Sequence, residues 1–211
     1  MQSKSGAAVA IIGDSITDGR GSGTNQQNRW PDILAMRFLE NTSTKSIGVL
    51  NMGIGGNAVL RGGLGPTALT RFDRDILQQE GVKWVIIYEG VNDLGSTRDS
   101  AAAFNVAKGL IAAYDSMITK AHARGLKVYG ATITPFKKAS YYTPYRDAAR
   151  NMINEWIRNS GHFDGVIDFD KAIRDPNDPA TILAEAQSDY LHPNELGYQM
   201  MGKAVDLSLF Q

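Results

Sequence analysis

The chain has 211 residues, 43% of them hydrophobic, enough for one substantial core and short for two, so a single domain over 1–211 is expected. Lys plus Arg and Asp plus Glu both number 22 and are scattered rather than blocked, which argues against nucleic acid or an anionic membrane surface as a partner. Cysteine is absent, which excludes disulfides, thiolate metal sites and a cysteine nucleophile and leaves the redox compartment open.

The polar opening Met1-Gln2-Ser3-Lys4-Ser5-Gly6 lacks the apolar stretch and cleavage site of a signal peptide. No apolar run approaches the roughly 20 residues of a membrane span. A soluble protein is therefore expected, cytoplasmic or secreted after loss of a leader, with its oligomeric state left open. The apolar run 7–12 reads as a first strand, followed by a polar loop over 22–28 and a helix over 31–40 with Pro31 in its first turn. A second strand over 47–52 leads to a helix over 67–79, and a third strand over 84–88 to a long helix over 100–124. A fourth strand over 126–133, a loop over 134–143, a helix over 144–159, a fifth strand over 166–169 and a final helix over 193–209 complete the chain. Near-continuous hydrophobic strands alternating with helices predict a parallel sheet covered on both faces. The expected fold is a flavodoxin-like three-layer α/β/α sandwich on a five-stranded parallel sheet. Such sheets bind ligands at the carboxyl ends of their strands, so the loops 22–28 and 134–143 are expected to lie over a site.

Chemistry-bearing residues fall at those same ends. Gly13-Asp14-Ser15 follows the first strand, Gly53-Ile54-Gly55-Gly56-Asn57 the second, and Gly90-Val91-Asn92-Asp93 the third; Asp189-Tyr190-Leu191-His192-Pro193 precedes the last helix. A serine hydroxyl is a poor nucleophile until an imidazole takes its proton, and the imidazole needs a carboxylate on its other nitrogen to hold the right tautomer. Ser15, His192 and Asp189 supply these three groups. Asp189 stands three residues before His192, within reach of one tight turn, and Pro193 is expected to keep His192 out of helical geometry and to start the final helix.

Together these four blocks, in this order and spanning nearly the whole chain, resemble the SGNH (GDSL) hydrolase superfamily. The resemblance implies a Ser15-His192-Asp189 triad and an oxyanion hole made by the backbone amides of Ser15 and Gly56 and the side-chain amide of Asn92. Losing one such donor typically adds about 2.7–4 kcal/mol to the barrier. Glycine at 56 would let the backbone approach the reacting carbonyl closely. Asp14 is expected to order the nucleophile loop, Asp93 to tie down loop amides, and Asn57 to support the site or touch substrate. Glu89 departs from the family pattern, which generally has an apolar or small residue there. A carboxylate beside an oxyanion hole needs a neutralising cation, and Arg20, Arg29 and Arg61 are the candidates.

Other residues have plainer readings. His122, near the end of a long helix, and His162, in a Gly-rich connection, are expected to be structural or solvated. Trp30, Tyr141, Tyr142 and Tyr145 suit either a sugar-stacking or acyl-binding wall or the core. The segment Gly53 to Ala58 matches a G-x-G-x-x-A dinucleotide fingerprint, but Asp73 and Asp75 fall in a helical stretch, not at a strand end, so nucleotide binding is not expected. No histidine pair has metal-ligand spacing, and Asp14 and Asp18 alone make a poor cage, so neither metal nor cofactor is expected.

The expected activity is that of a serine esterase hydrolysing short acyl esters, with acetyl favoured, through an acyl-enzyme. Asn25, Gln26, Gln27 and Asn28 hint at a hydroxylated leaving group, hence a carbohydrate ester. Thioesterases, lysophospholipases and acyltransferases of the same superfamily are the alternatives, and a nucleotide-binding or non-catalytic flavodoxin-like domain lies outside it.

Overall fold

The computed structural model describes residues 6–211; the opening 1–5, and with it the absence of a leader read there, lies outside the described residues. Five strands, β1 (Ala7–Gly13), β2 (Ile47–Gly53), β3 (Val82–Tyr88), β4 (Lys127–Ala131) and β5 (Gly165–Ile167), pair in parallel in the order β2-β1-β3-β4-β5. The helices are α1 (Ser15–Asp18), α2 (Trp30–Glu40), α3 (Ala68–Phe72), α4 (Val91–Gly95), α5 (Ser100–His122), α6 (Pro144–Asn159), α7 (Phe169–Ile173) and α8 (Glu195–Ala204). This is the flavodoxin-like three-layer sandwich.

Because strand side chains alternate between faces, each strand feeds two cores. Ala10 and Ile12 of β1, Val85 and Ile87 of β3 and Val128 of β4 pack with α3, α5 and α6. Val9, Ile11, Ile86, Tyr88, Tyr129 and Ile167 pack on the other side with α2, α7 and α8. There Trp30 is wholly buried, edge-on to Phe169 and Tyr88 at 5.0 and 6.3 Å.

The strand order reverses between β1 and β3, and crevices at such switch points are where ligands of open α/β sheets bind. Gly13, the last residue of β1, pairs with Gly53 on one side and Tyr88 on the other, so three strands end level.

Several boundaries differ from the sequence expectation for identifiable reasons. β4 stops at Ala131, not 133, because the Asn154 side chain of α6 takes both backbone groups of Ile133: its Oδ1 accepts from the Ile133 amide and its Nδ2 donates to the Ile133 carbonyl, each at 2.8 Å. β5 ends at Ile167, not 169, because the Asp168 side chain accepts from the Lys171 amide and caps α7 there. The helix expected over 67–79 becomes α3 followed by a widened turn over Asp73–Leu77, closed by the Gln78 amide donating to the Asp73 carbonyl. Pro193 does not start the last helix. Asn194 caps it, its Oδ1 accepting from the Gly197 amide, and the helix ends at Ala204, followed by a short turn over Leu207–Phe210.

Candidate active site

The nucleophile and base candidates come from opposite ends of the chain. Asp14 caps α1 by accepting from the Ile16 amide at 2.9 Å, which fixes Ser15 as the first helical residue directly beyond β1. Far downstream, Tyr190 adopts φ +63, an uncommon conformation for a non-glycine residue, and so curls the chain over Asp189. The Asp189 carboxylate accepts from the Leu191 and His192 amides at 3.1 and 2.8 Å, and its Oδ2 lies 2.8 Å from His192 Nδ1. The other ring nitrogen, Nε2, stands 2.9 Å from Ser15 Oγ. A carboxylate only accepts, so the neutral ring carries its proton on Nδ1 and leaves Nε2 free to accept from the serine hydroxyl.

Electrostatics favour that state. Burial pushes the His192 pKa below its ordinary value and the Arg20 charge adds to this, against the opposing pull of Asp189. Burial raises the Asp189 carboxyl, but the His192 amide and ring and the Leu191 amide outweigh it and hold the group below its usual range.

The loops that follow β2 and β3 are tied to each other, and Asn51 of β2 donates to the Thr17 carbonyl beyond β1 at 2.8 Å. Asn92 Nδ2 donates to the Asn57 carbonyl at 2.8 Å, and the Asp93 carboxylate accepts from the Val59 and Leu60 amides, both at 2.9 Å. Gly56 has φ +71, and a Cβ there would lie 3.1 Å from the Leu64 side chain, so both conformation and space call for glycine. Asn57 is fully buried; its Nδ2 donates to the Leu64 and Pro66 carbonyls, which makes it a brace of this loop with no surface left for substrate.

Beneath the loops sits Arg71. Its Nη2 donates to the Gly13 carbonyl at 3.0 Å and to Glu89 Oε1 at 3.2 Å, its Nη1 to the Met52 carbonyl at 2.7 Å, and its Nε to Asn57 Oδ1 at 3.0 Å. The cation that Glu89 requires is therefore Arg71. Arg20, Arg29 and Arg61 are not its partners; Arg29, for instance, pairs with Asp32 at 2.7 Å. Both side chains of the Arg71–Glu89 pair have 0% exposure. Arg71 is the residue that sequence reasoning missed. Its signal was present: with Ala68, Phe72 and Ile76 it falls on the buried stripe of the helical stretch, where a charge must find a partner.

The Arg71 charge acts on both Glu89 and Asp14, and the Asp93 charge acts on Glu89. Burial first, then the neighbouring Asp14 charge, drives the Glu89 carboxyl well above its ordinary range, and Arg71 offsets only part of it. Burial raises Asp14 to about 7, and Asp93 is raised by burial too, with its loop amides opposing. The Glu89 Oε2 atom has no hydrogen-bond partner among the described residues.

Other expected residues lie elsewhere or act differently. His122 Nε2 lies 2.7 Å from Asp164 and His162 Nδ1 2.5 Å from Asp115, both far from the site on the surface. Trp30 belongs to the core. Tyr142 and Tyr145 pack against the other core, whereas Tyr141 reaches the site through its hydroxyl, which donates to Asn92 Oδ1 at 2.9 Å. The loop 22–28 borders a small polar hollow lined by Asp18, Ser22, Asn25, Asn28 and Arg29. The Gly53 to Ala58 segment opens no helix, α3 starting only at Ala68, and Asp75 pairs with Arg71 and Arg74, so the phosphate cradle of a dinucleotide fold is not formed. Among the described residues, no group of three or more His, Asp or Glu side chains is arranged to hold a metal ion, and no helix is long and apolar enough to cross a membrane.

Residues 11–200 match the GDSL-like lipase/acylhydrolase family. The chain belongs to this family. No curated protein matches it in sequence. Among solved structures it is similar to a G-D-S-L family protein from Desulfitobacterium hafniense DCB-2 (TM-score 0.70, 23% identity, covering 94% of this chain and 97% of that one). It is also similar to a catalytic mutant of Axe2, an acetylxylan esterase from Geobacillus stearothermophilus (0.69, 21%, 99% and 96%), and to TesA (0.69, 21%, 94% and 95%). At these identities the likeness establishes the shared fold.

Arg71→Met is expected to cost about 3–5 kcal/mol of stability, because it strands a buried carboxyl and takes a donor from the Gly13 and Met52 carbonyls. Arg71→Lys should recover little, since a single ammonium cannot serve acceptors that the guanidinium fork reaches in several directions. Denaturant unfolding of the two variants beside the parent checks both expectations.

Proposed function

We propose that this GDSL-family hydrolase is a serine esterase acting on short acyl esters, acetyl foremost, through an acyl-enzyme and without a cofactor. The observation that carries the reading is the 2.9 Å contact of Ser15 Oγ with His192 Nε2, backed by Asp189 on Nδ1. In the proposed reaction His192 takes the Ser15 proton as Oγ attacks the ester carbonyl, and Asp189 steadies the imidazolium that forms. The amides of Ser15 and Gly56 and the Asn92 carboxamide would hold the oxyanion. His192 then passes its proton to the leaving alcohol, and a water molecule activated by the same ring releases the acyl group.

Substrate class is argued from the surroundings. An open cleft of about 900 Å³ includes Asn92 in its wall and has a mixed lining, with Arg61, Ser96, Thr97 and Asn105 beside apolar surface from Leu60, Ala102 and Val106. The polar side chains in this mixed lining could meet the hydroxyl groups of a carbohydrate leaving group. The acetylxylan esterase that shares the fold is consistent with this choice.

Purified protein is expected to hydrolyse nitrophenyl acetate, and Ser15→Ala to lower kcat/KM by at least about a thousandfold, as loss of a nucleophile does. Equal rates for the two proteins would remove the reading. Across a series of nitrophenyl esters, kcat/KM should fall from acetate to decanoate; a rise would instead indicate an acyl-chain groove. The active form of His192 is neutral and its pKa is depressed, so activity should persist as pH falls and be lost only below the ordinary histidine value of 6.5. Arg20→Gln removes a charge that helps that depression and should move the acid limb of the kcat/KM profile to higher pH.

A further inference from the structure

Of the three oxyanion donors proposed above, Asn92 alone is a side chain, and a carboxamide turned about its last bond presents oxygen in place of nitrogen. Two contacts on Asn92 bear on this. Its Nδ2 donates to the Asn57 carbonyl at 2.8 Å, and its Oδ1 accepts from the Tyr141 hydroxyl at 2.9 Å. The Asn57 carbonyl can only accept, so the nitrogen must face it, and the phenol must then act as donor to the oxygen. Both ends of the amide are thereby specified, and the second Nδ2 hydrogen has no partner among the described residues.

Tyr141 is itself firmly held. A Cβ on Gly95 of α4 would fall 2.5 Å from the Tyr141 ring, so the ring lies directly on the backbone of the turn that carries Asn92. Arg146, in the first turn of α6, donates through Nη1 to the Tyr141 carbonyl at 3.0 Å and through Nε to Thr97 Oγ1 at 3.2 Å, while Nη2 donates to the Thr97 carbonyl. One guanidinium thus clamps the loop 134–143 against the end of α4. Burial and the Asp14 charge raise the Tyr141 hydroxyl above its ordinary value, so it stays a donor across the neutral and mildly alkaline range.

We infer that Tyr141 is a positioning residue that locks the Asn92 carboxamide with its free N–H available to the oxyanion, an inference that deepens the proposed esterase function and rests on it. Without the hydroxyl, the Asn57 carbonyl still keeps the nitrogen toward it, but the carboxamide is held at one end only, and its plane can swing so that the free N–H leaves the oxyanion position. The role requires the hydroxyl alone, not the ring.

Tyr141→Phe is the test, with nitrophenyl acetate as substrate. The expected result is a kcat about tenfold lower, the worth of one neutral hydrogen bond, with KM and melting temperature nearly unchanged. Asn92→Ala should lose on the order of 100-fold or more. The double variant should be no slower than Asn92→Ala, since Tyr141 has nothing left to position. Losses that multiply, or a Tyr141→Phe enzyme with parental kcat, would overturn the inference while Ser15→Ala stays inactive. Side-chain amide signals of Asn92 in ¹⁵N NMR give an activity-independent reading: they should shift or broaden in Tyr141→Phe. Should activity survive Ser15→Ala, the esterase reading falls, and the NMR comparison alone decides whether Tyr141 sets the amide.

Discussion

One buried guanidinium holds the carboxyl edge of this sheet together. Where parallel strands end, their carbonyls have lone pairs to fill, and the Gly13 carbonyl accepts both from the Ile54 amide at 3.0 Å and from Arg71. Arg71 reaches the ends of β1 and β2 through Gly13 and Met52, and the residue after β3 through Glu89. A planar fork with five donors does this with little freedom to reorient. The loops carrying Ser15, Gly56 and Asn92 leave from the three strands so fixed, and direct bonds from Asn92 and Asp93 to the neighbouring loop complete the frame.

The same cluster explains how an acid can sit beside a candidate oxyanion site. Three full negative charges under that site would oppose the charge that develops in ester attack. Burial raises all three acids and the Asp14 charge raises Glu89 further, so their charged forms are disfavoured relative to surface carboxylates. Arg71 sets its positive charge against Glu89 and Asp14 while also pairing with Asp75 at 3.1 Å. The departure from the family pattern at Glu89 is thus matched by its partner, not left as an uncompensated charge.

The fold was legible because its signals are local and repeated: Val- and Ile-rich runs such as that of β3, bounded by glycine, and the long amphipathic helix that became α5. The Asp189-x-x-His192 turn was legible for a related reason, since three residues determine which groups can meet. What escaped depends on contacts between distant segments. The ends of β4 and β5 are set by Asn154 and Asp168, whose competition for backbone groups no strand propensity encodes. Glu89 was matched to arginines near the motif loops, whereas its partner stands 18 residues upstream on a helix. Tyr141 looked like one of several aromatics, and only the position of the loop 134–143 over α4 separates it from Tyr142 and Tyr145.

Ser15 and His192 meet across 177 residues, whereas His192 and Asp189 are paired within a single turn. The two halves of the site therefore mature at different times as the chain leaves the ribosome. Ser15 is made 177 residues before His192, and until the two meet its hydroxyl has no imidazole beside it. Their contact awaits the docking of α8, whose Tyr198 hydroxyl donates to the Arg20 carbonyl at 2.6 Å and draws the histidine turn against the loop after β1. Long sequence separation thus ties the Ser15–His192 contact to completion of the fold: it forms only once the sheet behind it is assembled.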